Sequence, residues 1–303
     1  MVDRVLKRTT SGTWKEWARS GLRYRVARSI WRVSLYSILI AGVCVVMIPL
    51  AWMISTSLKE LKDVFTFPPQ FIPNSIAWDN YPIALTILPF HLFFRNTMVI
   101  TVTCIIGAIA SSALVAYGFA RLEFPGRDIL FLIVLSTMMI PGIVTLVPLY
   151  ILFKELGWID TFLPLIIRSF FGGAFYIFLF RQFFMTIPQE MDDAAEIDGC
   201  SKFDIFWRLI LPLSKPALGM VAIFSFMFHW NEFMNALIYL NSPEKRTLAL
   251  GLAAFRASQE TGTSASWNLL MAASLTVMIP PMIAFFVAQR YFIQGIVFTG
   301  IKG

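Results

Sequence analysis

Apolar residues do not alternate with polar ones along this chain. They gather into six runs, at about 35–57, 94–119, 129–152, 163–184, 217–240 and 267–289, separated by shorter polar or proline-rich stretches. Runs of about 20 apolar residues match the hydrocarbon thickness of a bilayer. In lipid an unpaired backbone N–H or C=O costs several kcal/mol, so a span must be a helix or belong to a closed barrel. The alternation of barrel strands is absent, and six membrane-spanning helices are predicted. Two of them carry irregularities: Pro141 and Pro148 in the third, which predict bends, and Arg168 with Gly172-Gly173 in the fourth.

The stretches between the runs differ in kind. Residues 58–93 hold Pro68, Pro69, Pro73, Pro82 and Pro89 among aromatics and are too interrupted to cross a membrane. Residues 1–34 form a basic segment, too long and polar for an ordinary signal n-region, and the first run is expected to stay attached. Small residues Gly107, Ala110, Ser111 and Ala113 recur in the second run, which lets helix backbones approach closely.

Composition narrows the class. Of 303 residues 57% are hydrophobic and 14% charged, with 29 phenylalanines, far above a soluble domain's apolar share. A net charge of +7 could suggest nucleic acid, but the spacing of the runs assigns the basic residues to a membrane protein's flanks and no nucleic-acid partner is expected. With the N-terminus inside, 17 of the 25 Lys and Arg residues fall on cytoplasmic segments, which predicts that both termini are cytoplasmic. Cys44, Cys104 and Cys200 show no C-x-x-C spacing, so neither a disulfide framework nor a metal site is inferred.

One stretch departs from this pattern. The segment of about 185–216 holds six of the 18 acids: Glu190, Asp192, Asp193, Glu196, Asp198 and Asp204. Thr186 and Gln189 have capping-box spacing, Pro188 suits a first helical turn, and early acids complement the helix dipole. Gly199 supplies a stop. Ser201 and Asp204 form a second capping pair, and Phe203, Phe206, Trp207 and Ile210 recur at helical spacing up to Pro212 and Pro216. The prediction is a short acidic helix, a glycine turn and an amphipathic helix. A run of acids is more often a solvated face, but two capped helices with an apolar side make a rigid element suited to docking.

These residues carry a resemblance. Glu190-Met191-x-Asp193-Ala194-Ala195-x-Ile197-Asp198-Gly199, followed by Leu209-x-Leu211-Pro212 and Pro216, resembles the EAA loop of permease subunits in binding-protein-dependent ABC importers. Asp193 stands where that family most often has Glu, and Cys200 where a small residue is usual. Further stretches are similar to the maltose-type carbohydrate-uptake branch: Ala116 to Arg121, Phe124-x-Gly126-Arg127, Pro141 to Tyr150, Trp230-Asn231-Glu232-Phe233, Thr247-Leu248 and the tail Gly295 to Gly303.

The resemblance implies an all-α transmembrane domain over 35–303 of type I ABC importer permease architecture, in the inner membrane, with 185–216 as a cytoplasmic coupling loop. It implies a second homologous permease, two ATP-binding subunits and an extracytoplasmic solute-binding protein as partners. ATP and magnesium would sit on the ATPase subunits, and this chain would bind no cofactor. It implies ATPase coupling by Glu190, Asp193, Ala194, Ala195, Asp198, Gly199 and Pro212. The chain itself has no G-x-x-x-x-G-K-[ST] phosphate loop.

His229-Trp230-Asn231-Glu232 lies deep in the fifth run, where an ionisable group usually faces a pathway or a partner helix. Trp230, Asn231 and Glu232 are candidates for a pathway lining or gate, with the Trp230 indole suited to stacking on a sugar ring; a structural network between helices is the competing reading. Arg121, Glu123 and Arg181 read as ordinary juxtamembrane charges. An ion-coupled secondary transporter is the alternative to the importer. It would need buried mid-span carboxylates, for which Glu232 is the one candidate, and it leaves the acidic loop unexplained. No H-E-x-x-H, paired intramembrane aspartates or nucleophile elbow points to an enzyme.

Overall fold

A computed structural model describes the backbone at residues 3–260 and 266–299 and the side chains at 28–258 and 266–289. The tail motif from Gly295 lies outside the described side chains, as do the basic residues before Arg28. Among the described residues the chain is helical, without strands. Among the described residues four helices are long and apolar enough to cross a membrane: Arg28–Ser57, Phe90–Arg121, Leu163–Phe184 and Trp267–Gln289. Two bent pairs, Arg127–Met139 with Gly142–Glu155 and Lys202–Leu213 with Lys215–Trp230, bring the number to as many as six.

The second span, Phe90–Arg121, organises the bundle. It packs against Ala174–Phe184, Lys215–Trp230, Ile167–Phe171 and Leu248–Glu260. Its small residues permit this: Ala108, Ala113 and Ala116 are buried, and Gly107 lies against the ring of Phe170. The first span lies on the outside of the bundle, against the last helix. Its apolar side chains remain uncovered, as expected of a surface that meets lipid.

The third run is not one gently bent span. Its halves meet at 94°, at Ile140-Pro141. Ile140 has an extended backbone (φ −80°, ψ 114°), the conformation imposed on a residue before proline. Pro148, by contrast, stays inside the helix Gly142–Glu155. The fourth span holds a 3₁₀ stretch, Ile167–Phe171, and breaks at Gly172-Gly173. The N–H groups freed there donate across the interface, Gly172 to Ser111 Oγ at 3.1 Å and Gly173 to Ser112 Oγ at 3.2 Å. Serines of the neighbouring helix thus make a broken backbone tolerable at membrane depth.

The fifth run, expected to be helical over 217–240, stops at Trp230 and restarts as Met234–Tyr239. Its polar residues cause the break. Asn231 Nδ2 donates to the Met227 carbonyl at 2.7 Å, and the Glu232 carboxylate accepts the Asn235 N–H at 2.9 Å, opening a new helix.

Segment 58–93 carries the short helices Leu61–Val64 and Asn80–Ile87 and folds back on the spans. Lys59 is 1% exposed, with its ammonium 4.5 Å from the Trp52 ring centroid. Its carbonyl accepts from Asn80 and Asn268, which ties the end of the first span to the start of the last.

Candidate functional site: an anchored acidic helix and a polar cavity

The acidic helix forms where expected, at Glu190–Ile197, but its start differs. Thr186 Oγ1 donates to the Phe183 carbonyl instead of capping, and Gln189 is the N-cap without a side-chain cap bond. The Thr186–Gln189 capping box does not form, because the preceding helix runs on to Phe184 and takes the threonine into its final turn. The other end matches the prediction. Gly199 has φ +86°, its N–H donates to Glu196 O at 3.0 Å, and the Cys200 N–H donates to Ala195 O at 2.9 Å, which is a Schellman closure. The Ser201–Asp204 capping box is present, and the Ser201 hydroxyl holds the Asp204 carboxyl below the usual carboxylate range.

What anchors the helix was not legible in the sequence. Its one buried side chain is Asp192. Asp192 Oδ2 lies 3.5 Å from Arg121 Nη1, with both side chains under a tenth exposed. Arg121 Nη2 donates to the carbonyls of Phe184 at 2.6 Å and Ile187 at 2.7 Å. Arg121 is therefore not an ordinary juxtamembrane charge. Burial pushes the Asp192 carboxyl up, with Arg121 and then Lys202 pulling the other way. The cost of stranding one member of such a pair is about 3–5 kcal/mol when deeply buried. Asp192 keeps 8% of its side chain exposed, which puts it at the low end. One turn before Arg121, the Tyr117 hydroxyl donates to the Lys202 carbonyl at 2.9 Å.

With Asp192 turned inward, the helix presents the other candidates outward. Glu190, Asp193, Ala194, Asp198, Gly199 and Pro212 are exposed and Ala195 is half-buried. Ile197, 87% exposed, adds an apolar side chain to this acidic face.

The second helix is amphipathic, but not with the predicted face. Phe203 and Trp207 are exposed, whereas Ile205, Phe206 and Ile210 are buried against Tyr117, Phe180 and Phe184. The cause is a π-helical stretch, Ile205–Ile210, whose wider turn brings residues five apart to one side. Past Ser214 the chain turns by 78° into the fifth span.

A second candidate lies at the break of the fourth span. A cavity of 490 Å³ is lined by Arg168, Ser169, Tyr176, His229, Glu232 and Asn235 together with apolar neighbours. Arg168 is exposed, with no ion pair among the described residues. Ser169 Oγ lies 3.4 Å from His229 Nε2. Of the three pathway candidates only Glu232 lines this cavity. Trp230 is 2% exposed, edge-on to Phe94 and donating Nε1–H to Val277 O at 3.3 Å. One face of the Trp230 ring is stacked on Phe226, with centroids 5.2 Å apart, so the indole packs between helices instead of lining the cavity with Glu232. Trp230 and Asn231 both border a different cavity, between the fifth and last spans.

Residues 105–297 match the profile of a family described as "binding-protein-dependent transport system inner membrane component". The chain belongs to this family. The permease is 33% identical over 283 residues to a probable ABC transporter permease protein, YurM, of Bacillus subtilis, covering 91% of this chain and 88% of that one. It is 32% identical to the sn-glycerol-3-phosphate transport system permease protein UgpE of Pectobacterium atrosepticum, over 86% of this chain and 93% of the relative. It is 33% identical to the arabinooligosaccharides transport system permease protein AraQ of Halalkalibacterium halodurans, over 77% and 82%. The permease also shares its fold with a crystal structure of a bacterial ABC transporter that imports the acidic polysaccharide alginate. The TM-score is 0.77 at 24% identity, over 87% of this chain and 97% of that chain. The all-α importer-permease architecture expected from the sequence is thus the observed fold.

Proposed function

We propose that this permease carries a carbohydrate or a closely related solute, such as an oligosaccharide, a polyol or glycerol phosphate, across the inner membrane in an ATP-driven importer. The named solutes of its relatives support the class: glycerol phosphate, arabinooligosaccharides and, for the fold relative, alginate. In this reading a second homologous permease completes the pathway, and a solute-binding protein delivers the cargo from outside. Two ATP-binding subunits, with their ATP and magnesium, grip residues 188–212. Both chain termini then lie in the cytoplasm. The chain does no hydrolysis itself.

The observation that carries the coupling role is the exposed acidic face of Glu190–Ile197 on a helix whose inner side is fixed by Arg121. A free acidic face on a rigid support is what a partner's basic cleft can hold without the stroke being lost in loop bending. Glu190, Asp193 and Asp198 are assigned to ionic contact, Ala194 and Ala195 to close approach, Gly199 to the turn and Pro212 to the end of the docking segment. The cavity with Arg168, His229 and Glu232 is assigned to the solute route, since polar groups at membrane depth gather where a hydrophilic solute passes.

The test is isolation of the complex from membranes. ATPase subunits should co-purify, and uptake of radiolabelled sugar or glycerol phosphate into vesicles should require both ATP and the binding protein. Uptake by the isolated chain driven by a proton or sodium gradient would overturn the proposal.

A further inference from the structure

The docking helix poses a stability problem that its sequence does not solve. Eight residues are too few to be helical alone, and Glu190–Ile197 buries no apolar side chain fully. Its only buried side chain is a carboxylate, Asp192, and the group facing that carboxylate is Arg121 at the end of the second span. The same guanidinium holds the exit of the fourth span at Phe184 O and the linker at Ile187 O. Tyr117, on the same face of the second span, holds the start of the next helix at Lys202 O. The loop is thus pinned on both sides of the Gly199 turn to one helix.

That helix leads directly to the cavity. Ser111 and Ser112 carry the broken backbone of the fourth span, and Ala108 lines the cavity itself. From Arg121 to Ala108 is 13 residues of unbroken helix, about 20 Å at 1.5 Å per residue.

We propose that Arg121 and Asp192 form a positioning pair that locks the docking helix to the second span, so that a displacement of the docking helix moves the second span and, with it, the wall of the cavity. This rests on the reading of Glu190–Ile197 as the ATPase contact. Arg121 and Asp192 touch neither solute nor nucleotide in this arrangement; they act through the helix they hold. The guanidinium is aimed by its two hydrogen bonds to the Phe184 and Ile187 carbonyls, and the Asp192 carboxylate meets it at 3.5 Å as a buried ion pair, so a single group holds three successive pieces of chain.

Two measurements test the pair. In the first, the permease complex with its ATPase and binding-protein partners is reconstituted in liposomes, and solute imported per ATP hydrolysed is compared for wild type, Asp192→Asn, Asp192→Glu and Tyr117→Phe. Asp192→Asn keeps the shape of the side chain and removes the charge. The expected result is a fall of about tenfold in that ratio, within the usual range of a coupling energy. Asp192→Glu, which retains the charge, should recover most of the loss, and Tyr117→Phe should lower the ratio less.

In the second, amide hydrogen exchange of residues 190–199 is read on the purified permease. Exchange should be faster in Asp192→Asn and near wild type in Asp192→Glu. A wild-type ratio in Asp192→Asn, or equal loss in Asn and Glu variants, overturns the pair. If ATPase subunits leave the Asp192→Asn complex, the exchange measurement decides: unchanged protection overturns the proposal, and lost protection restored by Glu supports it. Failure of the wild-type permease to bind any ATPase would sink the docking reading, a result visible before any variant is made.

Discussion

The hydroxyl of Ser112 accepts the N–H of Gly173 at 3.2 Å, at the point where the fourth span gives up its own helical bonds. Ser112 is fully buried, so no solvent can replace it. Ser112→Ala should leave a buried donor unpaired and destabilise the permease by about 1–3 kcal/mol. Ser112→Thr keeps the oxygen and should cost less. Thermal unfolding in detergent measures both, and equal stability of the alanine variant and wild type would remove the serine's assigned role.

Gly199→Ala isolates backbone strain from crowding. A Cβ at this position meets nothing within 4 Å, so the whole penalty arises from φ +86°. The expected cost is about 1–2 kcal/mol, concentrated in the turn. Membrane insertion should persist while transport and ATPase stimulation fall. Gly199→Asn, which tolerates this backbone region better, should retain more transport than Gly199→Ala.

Gly107 and Phe170 make the opposite case, in which space and not conformation decides. A Cβ on Gly107 would lie 2.7 Å from the Phe170 ring. Gly107→Ala should destabilise by about 1–3 kcal/mol through overpacking. Because the ring is 43% exposed and can yield, the effect belongs at the low end. Phe170→Leu in the same chain should relieve most of it, a non-additivity that a double-mutant cycle reads directly.

Asp160 joins two loops at the far end of the bundle. Its carboxylate accepts from the Ser242 hydroxyl, the N–H groups of Ser242 and Asn241 at 2.9 Å, and Lys245 Nζ at 2.9 Å. These bonds, the Ser242 hydroxyl first, hold its carboxyl well below the ordinary value of 3.8. A depressed carboxylate contributes stability that is present above its unfolded value and is lost as pH falls through the folded one. Protection of the Asn241 and Ser242 amides, corrected for intrinsic exchange, should hold constant from neutral pH down to about 4 and decline only below. Asp160→Asn keeps an oxygen for the two N–H groups but loses the charge that Lys245 pairs with, so protection should be weaker and its decline at low pH should disappear.

Glu232→Gln keeps an oxygen to accept the Asn235 N–H but removes the charge from the cavity that also holds Arg168 and His229. Protein level should stay near wild type while the maximal transport rate drops several-fold. Unaltered transport kinetics would remove Glu232 from the solute route.

The sequence by itself determined the class of molecule. Apolar runs of bilayer length leave the backbone no choice but helix, so the helical membrane class was legible without tertiary information, although the breaks at Ile140-Pro141 and after Trp230 were not. The place of the acidic helix, its Gly199 turn and the Ser201–Asp204 cap were legible too, because the turn and the cap are fixed by residues within five positions of one another. Tertiary structure decided whatever depends on residues distant in sequence. Which acid turns inward depends on Arg121, 71 positions before Asp192. Whether the fourth span can break at Gly172-Gly173 depends on Ser111 and Ser112 standing beside it. Where the Trp230 indole lies depends on the Phe226 ring stacked on it and on the Val277 carbonyl that takes its N–H. Even the face of the second loop helix depended on packing, since a π turn at Ile205–Ile210 shifted the buried positions from a 3.6-residue spacing. Local rules fix helices and caps; partners for a buried charge or a freed N–H come from whichever helix the fold brings alongside.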